Sequence, residues 1–145
     1  MSATVETTRQ TLESYLRAWA TNDRELLLST FAEDAKIEDP VGTPPFVGHE
    51  GLGRFWDFAH AAEGRRLTPV LEEIRACGDQ AVMRFVMQVR DARNNLGLDL
   101  SIVEHASFAP DGRIAYLRAF WDASHASAPT GMGLLVPDIG DAYEG

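Results

Sequence analysis

A carboxylic acid set in an otherwise apolar strand face is the first residue of this chain that asks for a chemical explanation. Between positions 96 and 108 the even residues are Leu96, Leu98, Leu100, Ile102, Glu104, Ala106 and Phe108, while the odd ones include Asp99, Ser101, His105 and Ser107. Strand alternation sends the two sets to opposite faces, which leaves Glu104 as the polar member of the face expected to be buried. Ionising a carboxyl there is costly, so its pKa should rise and the group should tend to stay neutral. A bulge, a frayed register or a buried ion pair would be the plainer account. Asp39 repeats the pattern on a shorter run: Ala35, Ile37 and Asp39 share one face, Lys36 and Glu38 the other. Its plainer account is an Asp that opens a Pro-Val-Gly turn. Tyr15, alone, reads as a core tyrosine whose hydroxyl finds an acceptor. A phenol, a neutral acid and a base converging on one cavity could take a proton from carbon and stabilise the enolate oxygen.

Other chemistries have little to stand on. His49, His60, His105 and His125 show no metal-ligand spacing, so no metal is expected. There is no G-x-S-x-G, and the glycine-rich stretch 48–53 lacks the lysine and βαβ setting of a phosphate loop. Thirteen basic against twenty-two acidic residues give a net charge of −9, which argues against nucleic acid and against an anionic membrane surface. No uncharged apolar run approaches the ~18 residues of a membrane helix. A lone Cys77 and an N-terminus without a cationic–apolar leader pattern point to a cytoplasmic protein.

These residues need elements to hold them. Val5, Thr8, Leu12, Tyr15, Leu16 and Trp19 recur at helical spacing. Asn22 and Glu25 resemble a capping box that opens a second helix burying Leu26, Leu27 and Phe31. A third helix follows Gly48, with Leu52, Phe55, Trp56 and Ala59 on its apolar face. A short strand at 34–39 lies between the second and third helices. From about residue 65 the period is two, predicting long strands at 66–76, 80–90, 96–108 and 113–122 with turn residues between them. Helices first and strands later predict an α+β protein with a mostly antiparallel sheet. Residues 1–122 are expected to form one domain. Residues 123–145, whose apolar cluster is Leu134-Leu135-Val136, are expected to be mostly a tail.

Tyr15, Phe31-Ala-Glu-Asp-Ala, Glu38-Asp-Pro-Val-Gly42, Pro44-Pro45 and the late Gly112-Arg-Ile with Ala119-Phe-Trp121 together resemble the bacterial Δ5-3-ketosteroid isomerases. The resemblance covers about residues 12–58 and 98–122. It implies an NTF2-like, SnoaL-like cone of a curved sheet wrapped by three helices, a homodimer without cofactor, and a steroid-like apolar substrate. It makes Asp39 the general base, Tyr15 one oxyanion-hole donor, and Glu104 the counterpart of the family's protonated aspartic acid. Trp19, Phe55, Trp56, Met83, Phe85, Met87, Ala119 and Trp121 would line the pocket. Glu104 departs from the family in length, and Trp56 stands where the family carries a tyrosine. Two further functions suit the same pocket: a silent steroid- or lipid-binding dimer, and a polyketide-cyclase-like enzyme. A limonene-type epoxide hydrolase would need an arginine between two acids, and neither Arg84 nor Arg118 comes with that pairing.

Overall fold

The computed structural model describes residues 2–135. Helix α1 (Val5–Thr21) buries Leu12, Tyr15, Leu16 and Trp19 along one face. Helix α2 (Arg24–Ser29) follows, then strands β1 (Phe31–Glu38) and β2 (Phe46–Val47), and helix α3 (Gly48–Ala59). Four long strands come next: β3 (Arg65–Cys77), β4 (Gln80–Asp91), β5 (Leu96–Phe108) and β6 (Ile114–Phe120). The sheet runs in the order β2-β1-β6-β5-β4-β3. The β1–β6 pair is parallel, and the other neighbours on this path are antiparallel. The sheet is large, curved and unclosed, with register shifts in β3 between Leu71 and Glu73 and between β5 and β6 at Ser107/Phe108. α1 packs across β3 and α3 across β1, so the helices cover one sheet face and close a cone around it. No helix among the described residues is long and apolar enough to cross a membrane.

The start of α2 differs from the sequence expectation. Asn22 takes the left-handed conformation (φ 55°) and closes α1, its N–H donating to backbone carbonyls of Ala18 and Trp19. The N-cap is Asp23, whose side chain accepts from the Leu26 N–H at 3.0 Å. Phe31 belongs to β1 rather than to α2 and is completely buried there. Asp23→Ala should therefore lower stability by about 1 kcal/mol, read as a smaller urea midpoint at unchanged slope. No loss on that substitution would place the cap elsewhere.

Residues 123–135 also differ from the expected tail. A short 3-10 turn (Ala123–His125) leads into β7 (Ala126–Ser127), which pairs with Asp99–Leu100, and β8 (Gly133–Leu134) pairs with Leu96–Gly97. The crossing is close, because a Cβ added at Gly97 would sit 2.7 Å from the Pro129 side chain. Val136 and the rest of the expected tail lie outside the described residues.

Candidate active site

Glu104 sits mid-strand in β5 between Met83 of β4 and Ala119 of β6, and it is 2% exposed. The expected alternation holds around it: Leu98, Leu100, Ile102, Ala106 and Phe108 are buried, and Val103, His105 and Ser107 are not. From α1 the Tyr15 hydroxyl donates to Glu104 Oε2 at 3.3 Å. The other oxygen, Oε1, is sealed from solvent and has no hydrogen-bond partner among the described residues. Burial pushes the Glu104 carboxyl well above its usual pKa, and the negative charge of Asp39 pushes the same way against the Tyr15 hydrogen bond. The Tyr15 phenol is raised too, by burial first and by the two acids second.

Asp39 continues the inward row of β1 one residue past the strand and is 8% exposed. A backbone hydrogen bond from the Val41 N–H to the Ala119 carbonyl, 2.8 Å, ties its turn to β6. The Trp121 indole N–H donates to Asp39 Oδ1 at 2.6 Å. Burial lifts the Asp39 pKa from 3.8 to about 6, with the Trp121 bond acting in the opposite direction. Glu38, on the other face, is instead held by the Tyr116 hydroxyl. Both inward acids are thus raised, Glu104 well above its ordinary value and Asp39 to about 6, so of the two Asp39 gives up its proton more readily.

Tyr15, Asp39 and Glu104 meet at one cavity of about 200 Å³. Of the wall residues expected from sequence, Trp19, Phe55, Phe85, Met87 and Trp121 line it. Trp56, Met83 and Ala119 do not. Trp56 lies behind Trp19, with ring centroids 4.5 Å apart, and stacks on His60 at 4.2 Å. Met83 and Ala119 are the cross-strand neighbours of Glu104, buried beside it on the same sheet face without lining the space. Sequence reasoning missed Leu98, Leu100 and Ile102 as wall residues, although they share Glu104's strand face and the alternation itself marked them. It also missed Arg65, Leu67, Val89 and Leu135, and the Trp121–Asp39 hydrogen bond. Among the described residues no group of three or more His, Cys, Asp or Glu side chains is placed to hold a metal ion.

A three-helix cone on an open, curved sheet, with polar groups gathered inside it, defines the NTF2-like class. Within that class the chain belongs to the SnoaL-like domain family, whose model matches residues 12–117. The Steroid Delta-isomerase of Nocardioides simplex is 28% identical over 107 residues, which cover 74% of this chain and 83% of that protein. Among solved structures, the epoxide hydrolase/cyclase-like enzyme SalBIII, of pyran ring formation in polyether salinomycin, superposes with a TM-score of 0.76. It is 20% identical, covering 86% of this chain and 97% of that one. RV0760c from Mycobacterium tuberculosis gives a TM-score of 0.73 at 24% identity, covering 83% and 98%. At these identities the two structures speak to the fold.

Proposed function

We propose that this protein is an isomerase that moves a double bond in a 3-ketosteroid through a dienolate. The observation that carries the reading is the buried Tyr15–Glu104 pair, with the second carboxyl oxygen left without a partner, on a cavity that Asp39 also lines. In this mechanism the Asp39 carboxylate removes a proton from the carbon between ketone and alkene. The electrons of that C–H bond move into the ring, and the ketone oxygen becomes the dienolate oxygen. Tyr15 and the protonated Glu104 donate hydrogen bonds to that oxygen where charge develops, in a water-poor site where such bonds count most. Asp39 then returns the same proton to the far end of the dienolate, so atoms and charge balance without a cofactor. The Trp121 N–H, donating to Oδ1, orients the Asp39 carboxyl through both transfers. Apolar walls suit a rigid polycyclic substrate. A homodimer through the outer sheet face is part of this proposal, since Val82, Val103 and Phe120 leave apolar surface there.

A β,γ-unsaturated 3-ketosteroid added to the protein should gain conjugated-enone absorbance at a rate proportional to enzyme. Binding without turnover would select a silent carrier instead. A steroid with a phenolic A ring mimics the dienolate and should bind more tightly than a saturated steroid lacking that oxygen. Tyr15→Phe should remove much of the difference, since a hydrogen bond to a charged group is worth about 1.5–3 kcal/mol. Equal affinities of the two steroids for the unaltered protein, measured by calorimetry, would remove the oxyanion hole from the mechanism.

A further inference from the structure

The cavity has two ends, and the strand register orders what lies between them. Glu104 pairs with Met83; two residues along, Ile102 pairs with Phe85, then Leu100 with Met87 and Leu98 with Val89. From Glu104 to Leu98 is about 20 Å of strand. Val89 pairs with Leu67 of β3, and two residues before Leu67 on the same face stands Arg65. The wall residue Leu135 belongs to this end too, because its N–H donates to the Gly97 carbonyl at 2.8 Å.

Arg65 is out of keeping with its surroundings. It is a half-buried guanidinium on an otherwise apolar stretch of wall, in a chain of net charge −9. Its Nε is sealed from solvent and has no acceptor, and among the described residues its side chain forms no hydrogen bond or ion pair. Other arginines around this end are engaged: Arg93 with Glu63 at 2.9 Å and Arg90 with Asp99 at 2.8 Å. The acid across the strand pair, Asp91, accepts from the Asn94 side chain at 2.9 Å and from its backbone N–H at 3.2 Å. Asp91 feels the charge of Arg65 without contacting it, and that charge is not among the influences on Glu104. A donor left unpaired where water is scarce is costly unless a ligand supplies the acceptor.

We propose that Arg65 forms a subsite for an anionic group at the end of the substrate remote from the reacting ketone, so that the preferred ligands are steroids with a carboxylate-bearing side chain on the D ring. This rests on the isomerase reading for the orientation, with the ketone at Tyr15 and Glu104. The span from Glu104 to the Leu98 end exceeds a four-ring nucleus and leaves its last part to such a side chain. A guanidinium matches a carboxylate in shape as well as charge, because two of its N–H groups can meet the two oxygens.

The test uses two ligands that share a phenolic A ring and differ at the D ring: a side chain ending in a carboxylate, and its methyl ester. By calorimetry the unaltered protein should bind the carboxylate about tenfold more tightly than the ester, and added salt should narrow the gap. Arg65→Met should abolish the preference while still binding the ester, and Arg65→Lys should keep part of it. Three results overturn the subsite. The unaltered protein holds both ligands tightly and equally, which leaves the isomerase site standing; Arg65→Met keeps the preference; or Arg65→Met weakens both ligands alike, which makes the residue a packing element. If neither ligand binds the unaltered protein, the orientation set by Tyr15 and Glu104 fails and takes the subsite with it.

Discussion

Asp39→Asn should lower kcat by about 10²–10⁴-fold and at the same time yield a more stable protein at neutral pH. The first effect follows from removing a proton acceptor at nearly constant size. The amide oxygen can still accept from the Trp121 N–H, so the site keeps its shape. The second effect follows from the raised pKa. A group whose pKa is 3.8 unfolded and about 6 folded holds its proton longer in the native state. Its contribution to stability is full below the unfolded value and is lost as pH climbs through about 6. At neutral pH the ionised Asp39 thus weighs against folding by about 3 kcal/mol, which an amide does not. Urea unfolding of both proteins at several pH values should show the gap opening between roughly pH 4 and 6 and levelling above. Activity of the unaltered protein should rise around pH 6, where Asp39 ionises in the folded state. Unchanged kcat in Asp39→Asn would assign the proton to another residue, and a pH-independent gap would show that Asp39 is not held in an ionisation-hostile site.

Glu104 should be protonated at neutral pH in the folded protein. Burial is the first cause and the Asp39 charge the second. The native state again retains the proton, so the stability that Glu104 contributes is complete below its ordinary value of 4.5 and declines as pH rises through its elevated folded value. Glu104→Gln keeps a donor in the same place and should retain part of the activity. Glu104→Ala removes the donor, takes the acceptor from the Tyr15 hydroxyl and should cost about 1–3 kcal/mol of stability as well. Carboxyl-labelled NMR across the pH range reads the proton directly. A Glu104 resonance titrating near 4.5, with the Gln and Ala variants equally active, would overturn the role given to this residue.

Much of this site could be read before any coordinates because it is built on strands, where facing is a matter of counting by two. Glu104 and the wall residues Leu98, Leu100 and Ile102 obey that count, and so does Asp39 at the end of Ala35 and Ile37. What alternation cannot separate is a cavity wall from the packing beneath it. Met83 and Ala119 face inward like Glu104, but the helix laid over the sheet decides which inward positions border empty space. Trp56 shows the same limit on α3, where its neighbour Phe55 reaches the cavity and Trp56 stacks behind Trp19. The Trp121–Asp39 bond joins residues 82 positions apart, and local pattern holds no trace of such a pairing. Arg65 escaped because it is the first residue of its strand, and strand ends are the least defined part of a periodic pattern.

The docking of residues 126–134 onto β5 has a consequence for how this protein is handled and how it folds. β4 runs along all of β5, but β6 pairs only with residues from Val103 to Phe108, so the remaining edge at Leu96–Leu100 is closed by β7 and β8. These two short strands leave the ribosome after the strand they cover. Until they arrive, a leucine-rich strand shows open N–H and C=O groups to its surroundings, a template for a strand of another chain. Shortening the protein at residue 122 would make that interval permanent and turn a passing hazard of synthesis into a standing route to self-association.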